Sequence, residues 1–124
     1  MSKILTVCSQ GLMRSVGLAD VLKLHFEPVD VIPVGVAENA NGSETLIMLC
    51  DWADHIIVME EYLKDRLATR TGFDMDNLNV HICDVGSDTY GGKHNRRDVL
   101  IDMVWRWARI NQKKLGITEH TKKL

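Results

Sequence analysis

The fold is decided by the stretch Ile4-Leu5-Thr6-Val7-Cys8-Ser9-Gln10-Gly11-Leu12-Met13-Arg14-Ser15 at the start of the chain. Residues 4–8 form a short apolar run rich in strand formers, which is typical of a strand buried on both faces. From about Leu12 onward, apolar residues recur at helical spacing until Pro28, which cannot continue a helix. The sequence therefore predicts a buried strand, a tight loop and a helix in direct succession.

The rest of the chain repeats this alternation. Apolar runs predict three further strands, near residues 29–36, 55–59 and 78–83, and helical periodicity predicts helices near residues 43–52, 60–70 and 96–112. Pro33 confines the second strand to an edge or to irregular pairing, because proline lacks the N–H that a central strand needs. The order predicts an α/β three-layer sandwich around a central four-stranded parallel sheet. If the first strand is central, Cys8 lies where such sheets bind ligands.

Length and composition bound the class of protein. The chain has 124 residues, 45% of them hydrophobic and 26% charged, which fits one ordered globular domain. We expect this domain to cover residues 1–112 and to be followed by a basic, solvated tail at residues 113–124. A net charge of −2 argues against nucleic acid as the main partner. No apolar run is long enough to span a membrane and no signal peptide is evident, so we expect a cytoplasmic protein without a membrane partner.

The loop after the first strand carries the chemistry. Its backbone N–H groups can converge on an anion, with the positive end of the following helix behind them. Gly11 permits the positive φ that such a curl needs, and the guanidinium of Arg14 can bind two phosphate oxygens at once. The predicted phosphate-binding residues are Ser9, Gln10, Gly11, Leu12, Met13, Arg14 and Ser15.

Cys8 is the candidate nucleophile. The three cysteines of the chain are an odd number and are expected to be reduced thiols. A thiolate is stabilised at a helix N-terminus beside a guanidinium, and Ser15 is placed to donate a hydrogen bond to it. The competing interpretation is a small buried side chain at the end of a core strand. Gly11, Arg14 and Ser15 together favour the nucleophile.

These residues also carry a family resemblance. The segment Val7–Ser15 resembles the phosphate-binding loop of the low-molecular-weight protein tyrosine phosphatases, and Asp54–Met59 is similar to their third strand. Asp88-Thr89-Tyr90-Gly91 is similar to the Asp-Pro-Tyr-Gly loop that carries the general acid of that family. The resemblance covers most of the chain in the same order, although this chain is shorter than typical members.

The resemblance implies a two-step phosphatase mechanism without cofactor or metal. Cys8 would attack phosphorus and form a phosphocysteine, while Arg14 and the loop amides stabilise the phosphoryl oxygens. Asp88 would protonate the departing phenolate and then activate the water that hydrolyses the intermediate. The implied substrate is phosphotyrosine in a protein or a small aryl phosphate, with Tyr90 at the entrance and inorganic phosphate as the product.

The sequence departs from the family pattern at several positions. Gly11 stands where the family usually has asparagine, and glycine tolerates the same left-handed backbone. Met13 replaces the second loop cysteine of many relatives, and Thr89 replaces the proline after the acid. Asp84 competes with Asp88 for the acid role, but its place directly after the predicted strand suits a carboxylate that structures the loop. Residues 36–43 hold no aromatic side chain to wall a phenyl ring.

Three other functions fit the same pattern. One is a phosphocysteine carrier similar to the cysteine-bearing components of bacterial sugar phosphotransferase systems, against which Arg14 and a candidate acid argue. A second is arsenate reduction on the same scaffold, for which Cys83 is the plausible further redox cysteine. The third is a non-catalytic module that binds anions. The hydrolase is the leading hypothesis.

Overall fold

The computed structural model describes residues 1–11, 13–85 and 97–120. The strands are β1 Ser2–Cys8, β2 Phe26–Glu27, β3 Val29–Gly35, β4 His55–Val58, β5 Val80–Ile82 and β6 Thr118–Glu119. The helices are α1 Arg14–His25, α2 Ser43–Trp52, α3 Glu61–Thr71 and α4 Arg97–Leu115, with a short 3-10 turn at Met75–Asn77.

The central sheet has four parallel strands with the first strand inside the sheet, as the sequence predicts, and its strand order is β3-β1-β4-β5. Strand β1 lies between β3 and β4, so the strand order reverses at its carboxyl end, where Cys8 is paired in register with Gly35. Pro33 lies in β3 at the edge of the sheet, which is one of the two placements predicted for it. Strand β5 begins at Val80, later than expected, because Leu78 closes the 3-10 turn.

Helices cover both faces of this sheet and complete the three layers. Helix α1 packs on α4 and on the first two parallel strands, whereas α2 packs on α3. Gly17 lets α1 and α4 approach closely, because a Cβ at this position would lie 3.2 Å from Leu100 Cδ2. The buried core is formed by the faces of β1, β3 and β4 and by the inward stripes of the helices.

The C-terminal segment differs from the expected tail. Helix α4 continues past residue 112 to Leu115, and β6 pairs antiparallel with β2 in a second, two-stranded sheet. Leu115 and Ile117 are buried, so residues 113–119 complete the domain instead of extending from it. Burial of these two apolar side chains is the physical reason for the different boundary. Residues 121–124 lie outside the described residues. Within the described ranges, no helix combines the length and apolarity of a membrane span.

Candidate phosphate-binding site

Cys8 ends β1 with its sulfur among polar groups. The Gly11 backbone N–H donates to Cys8 Sγ over 3.1 Å, and Ser15 Oγ lies within hydrogen-bond distance of the same sulfur at 3.0 Å. Cys8 is only 3% exposed, as the competing interpretation of a buried apolar side chain requires. That interpretation does not account for two hydrogen bonds on the sulfur. The loop curls around Sγ in the way that an anion-binding nest curls around its ligand.

Two glycines set the shape of this loop. Gly11 has a φ of +75°, the left-handed backbone that the sequence analysis assigned to it. A Cβ on Gly11 would lie 2.6 Å from the Gly35 nitrogen, and a Cβ on Gly35 would lie 2.3 Å from the carbonyl carbon of Gln10. The loop is therefore pressed against the end of β3, at a distance that only two glycines allow. Sequence analysis missed Gly35, because a lone glycine at a strand end gives no local signal of what it faces.

The loop is also tied to the chain that follows β3. Val36 N–H donates to the Cys8 carbonyl, and Ala37 N–H donates to the Ser9 carbonyl, each over 2.9 Å. The side-chain amide of Gln10 donates to Asn39 Oδ1 over 3.2 Å. These bonds make residues 36–39 one rim of the site.

Ser15 is fixed by the strand that precedes it. Thr6 Oγ1 donates to the Ser15 carbonyl over 2.9 Å, and both side chains are fully buried. The Met13 carbonyl accepts the Gly17 N–H at 2.8 Å, which closes the first turn of α1. Because this turn is anchored to β1, the Ser15 hydroxyl is held in register with the Cys8 sulfur.

Arg14 lies inside the protein beside this loop. Its side chain is 2% exposed, and Nη1 donates to Glu60 Oε1 over 2.5 Å. Met59 N–H donates to the Val7 carbonyl, so Glu60 follows directly after the carboxyl ends of β1 and β4. A buried guanidinium is costly without a counter-charge, and Glu60 supplies one while it fixes the position of Arg14.

Sequence analysis assigned Glu60 only to the start of a helix. The missed signal was positional: Glu60 directly follows the predicted strand 55–59, and the carboxyl ends of parallel strands share one edge of a sheet.

The segment between β3 and α2, residues 36–42, is held from its other side by α3. Arg70 donates from Nη1 to the Val36 carbonyl over 2.7 Å and from Nη2 to the Asn41 carbonyl over 2.8 Å. Asn41 Nδ2 in turn donates to the Gly35 carbonyl over 2.9 Å. The rim of the site is thus braced by a cation far away in the sequence.

The other two cysteines have apolar surroundings. Burial raises the pKa of the Cys50 thiol to about 11. Burial also raises the pKa of the Cys83 thiol, and the neighbouring Asp84 carboxylate adds to that effect. Both shifts favour the unreactive thiol form.

Cys83 is also poorly placed to resolve an oxidised Cys8. It follows β5, which is two strands from β1, and two strand spacings amount to about 10 Å. A disulfide requires Cα atoms within about 7 Å. The arrangement therefore gives no support to arsenate reduction through this pair.

Several predicted site residues lie outside the described residues: Leu12 of the loop, and Asp88, Thr89 and Tyr90 of the candidate acid loop. Asp84 is described, and it is exposed just after β5. Among the residues that the structure does describe, no group of three or more potential ligands could hold a metal ion.

Neither a protein-family model nor a curated protein matches this chain. Solved structures do. The YwlE arginine phosphatase from Geobacillus stearothermophilus is 22% identical with a TM-score of 0.64, over 92% of this chain and 95% of that chain. A low molecular weight protein tyrosine phosphatase from Bacillus subtilis is 21% identical with a TM-score of 0.61, over 90% and 97%. Vibrio vulnificus Wzb in complex with benzylphosphonate is 17% identical with a TM-score of 0.59, over 92% and 99%.

These matches extend over nearly the whole length of both chains in every pair. They confirm, at the level of the backbone, the resemblance that the loop sequence carries. The four-stranded parallel sheet with the cysteine loop after its first strand is the fold of the low-molecular-weight protein tyrosine phosphatases.

Proposed function

We propose that this protein hydrolyses phosphomonoesters, with Cys8 as the nucleophile. One observation carries the proposal: Cys8 Sγ accepts the Gly11 N–H inside a curled loop, and the Arg14 guanidinium is fixed beside that loop by Glu60. This arrangement supplies a thiol, a backbone donor and a guanidinium, which are among the parts that a phosphoryl transfer without metal needs. The similar folds named above belong to phosphatases, and one of them holds a phosphonate.

The first step transfers the phosphoryl group to sulfur. Cys8 attacks phosphorus as the thiolate, an S–P bond forms, and the bond between phosphorus and the ester oxygen breaks. The leaving oxygen takes the electron pair and a proton, for which we propose Asp88 as the donor. The loop amides and Arg14 bind the phosphoryl oxygens and stabilise their charge as it redistributes.

The second step regenerates the free enzyme. Water attacks phosphorus, Asp88 accepts its proton, and the S–P bond breaks with the electron pair returning to sulfur. Ser15 Oγ, 3.0 Å from Cys8 Sγ, is positioned to donate a hydrogen bond to the departing sulfur. Inorganic phosphate is released from the loop amides and Arg14.

The substrate class we propose is a phosphotyrosine protein or a small aryl phosphate, in a cytoplasmic setting. The rim at Gln10, Glu38 and Asn39 is polar, and Tyr90 is the residue we assign to the entrance. Phosphoarginine is the alternative substrate, since one similar fold is that of an arginine phosphatase and another that of a tyrosine phosphatase. In that case the P–N bond breaks in place of the P–O bond, and the leaving guanidine nitrogen takes the electron pair and the proton.

The test is hydrolysis of p-nitrophenyl phosphate by matched cysteine variants. Cys8→Ser should lose at least about a thousandfold in kcat, because the hydroxyl is a far weaker nucleophile. Cys50→Ala, which removes a buried thiol on α2, should keep the activity of the folded fraction. The activity of Asp88→Asn should fall strongly, and the activity of Asp84→Asn should not. Orthovanadate should inhibit in competition with phosphate.

Full activity in Cys8→Ser would contradict the proposal. A phosphorylated Cys8 that is stable to water would contradict it equally, because it would identify a carrier in place of a hydrolase.

A further inference from the structure

We call residues 8–15, from the end of β1 to the start of α1, the phosphate loop. A cleft lies near this loop, between residues 36–42 and helix α3. Its volume is about 290 Å³. It is lined by Glu38, Tyr62, Asp65, Arg66, Thr69 and Arg70. No step of the mechanism above uses these residues.

The residues that line the cleft adjoin the site at several points. Tyr62 is two residues from Glu60, which contacts Arg14, and Glu38 lies between Ala37 and Asn39, which bond to the phosphate loop. Arg70 is at the other end of the α3 lining and donates to the Val36 carbonyl. Eight residues of helix separate Tyr62 from Arg70, a length of about 12 Å, which matches about four residues of extended peptide.

The charges that face the cleft differ in how they are used. The Arg70 guanidinium donates hydrogen bonds to the Val36 and Asn41 carbonyls and lines one side of the cleft. Glu38 and Asp65 are exposed carboxylates that form no ion pair with any part of the chain that the structure describes. Arg66 is the other cation of the lining. Two carboxylates therefore remain available to a partner against one cation.

Tyr62 supplies the apolar part of the lining. Its side chain is 45% exposed in the first turn of α3, two residues after Glu60. An exposed aromatic ring beside carboxylates suits the side chain of lysine or arginine, because the ring can contact the aliphatic stem and the cationic head while the carboxylates bind the head.

We propose that this cleft binds the polypeptide that flanks the phosphorylated residue and favours basic side chains there. The proposal rests on the proposed function and adds a substrate class to it: phosphoproteins with lysine or arginine within about four residues of the phosphorylated position. Glu38 and Asp65 are the specificity residues, and Tyr62 is the contact surface between them and the phosphate loop.

The experiment measures peptide binding to the Cys8→Ser protein, which cannot turn over. Two phosphotyrosine peptides are compared that differ only in carrying lysines or glutamates at the flanking positions. We expect the basic peptide to bind about fivefold more tightly at low salt, the sum of two exposed ion pairs, and the preference to fall below about twofold at high salt. In the Glu38→Gln, Asp65→Asn background the preference should vanish even at low salt.

The matched control removes two carboxylates elsewhere. Glu44→Gln with Asp51→Asn changes the net charge by the same amount on α2, outside the cleft, and should leave the preference intact. Equal binding of the two peptides, or a preference that survives Glu38→Gln with Asp65→Asn, would overturn the proposal. In parallel with the peptide binding, hydrolysis of p-nitrophenyl phosphate is measured for the protein that keeps its native Cys8. Absence of that hydrolysis contradicts the proposed function, and a flat peptide preference contradicts only the cleft.

Discussion

Helix α1 joins two polar clusters that are built in opposite ways. At its N-terminus, on the carboxyl edge of the sheet, the phosphate loop gathers Cys8, Gly11 and Ser15 from one short stretch of sequence. At its C-terminus, on the opposite edge, four residues from distant parts of the chain meet. We call this second cluster the clasp: His25, Trp105, Arg109 and Glu119.

The members of the clasp contact one another through hydrogen bonds and ring contacts. The Trp105 ring stacks on His25 with ring centroids 3.9 Å apart, and its Nε1 donates to Glu119 over 2.7 Å. Arg109 donates twice to the same carboxylate, over 2.8 and 2.9 Å, and its guanidinium lies 5.1 Å from the Trp105 ring centroid. The hydrogen bonds from Arg109, assisted by the one from Trp105, lower the pKa of Glu119. Glu119 also pairs with Phe26 in the small sheet, so the clasp fastens β6 to α4.

The phosphate loop is instead held from behind. Its supports are the close approach of Gly35, the Thr6 hydroxyl on Ser15 and the Glu60 carboxylate on Arg14. Support of this kind fixes the backbone while the inner face of the loop remains directed at a ligand. The comparison teaches that damage to the two clusters should have separable consequences: the clasp should govern stability and the loop should govern anion binding.

The largest expected effect is that of Gly35→Ala. The added Cβ would lie 2.3 Å from the Gln10 carbonyl carbon, and two backbone segments have to move apart to admit it. We expect a loss of about 3 kcal/mol in the free energy of unfolding, measured by urea denaturation, because overpacking of rigid backbone is costly. The rise in Tm that inorganic phosphate produces should disappear with it.

Gly42→Ala is the matched control for this prediction, because a Cβ there meets nothing within 4 Å and the backbone has an ordinary φ of −77°. It should change the free energy of unfolding by less than about 1 kcal/mol, because alanine is a poorer N-cap of α2 than glycine but has less backbone freedom to lose. It should keep the response to phosphate. If Gly35→Ala retained the response to phosphate, the close packing of the loop on β3 would not be what shapes the site.

A smaller effect is expected at the clasp. Trp105→Ala removes the stacking on His25 and the hydrogen bond to Glu119, and it should lower the free energy of unfolding by about 1.5 kcal/mol, since the ring is only partly buried. The rise in Tm on adding inorganic phosphate should be as large as in the unmodified protein. A diminished response would show that the two ends of α1 are coupled, and it would contradict the separate roles of the clasp in stability and of the loop in anion binding.

The same contrast explains what the sequence could predict. The phosphate loop could be predicted because its residues are contiguous in the sequence. A strand end followed by a glycine and an arginine already indicates the backbone shape of such a loop. Pro33 likewise indicated an edge strand or irregular pairing, because proline has no backbone N–H to donate. Gly35, Glu60 and Arg70 act on the loop only through the order of strands and the packing of α3, which no local pattern contains.

The C-terminal segment illustrates the same limit. Its lysines suggested a solvated tail, but Leu115 and Ile117 find apolar partners and Glu119 finds Trp105 and Arg109 only once α1 and α4 have packed. Local composition was outweighed by long-range burial. The acid loop at Asp88 stays a prediction from the resemblance.

The smallest expected effect is the pH dependence of the free energy of unfolding that two neighbouring histidines cause. His55 Nδ1 and His81 Nε2 lie 3.1 Å apart across β4 and β5. Burial lowers the pKa of His55, against a partial opposing effect of Asp54. Burial also lowers the pKa of His81, and His55 and Lys114 lower it further.

Both rings thus resist protonation in the folded chain, whereas in the unfolded chain they accept protons near the ordinary value of 6.5. The free energy of unfolding should therefore be level above about pH 6.5 and should fall as the pH drops below it, until the folded rings are protonated as well. Urea midpoints at about pH 7.5 and 5.5 measure the change, and His55→Gln with His81→Gln should reduce it. An equal loss in both proteins would assign the acid sensitivity between these two pH values to groups other than the two histidines. Glu119 of the clasp is not one of them, because its lowered pKa makes it lose stabilising charge only at lower pH. The two contributions are separable because the histidines act below pH 6.5 and Glu119 acts below its ordinary value of 4.5.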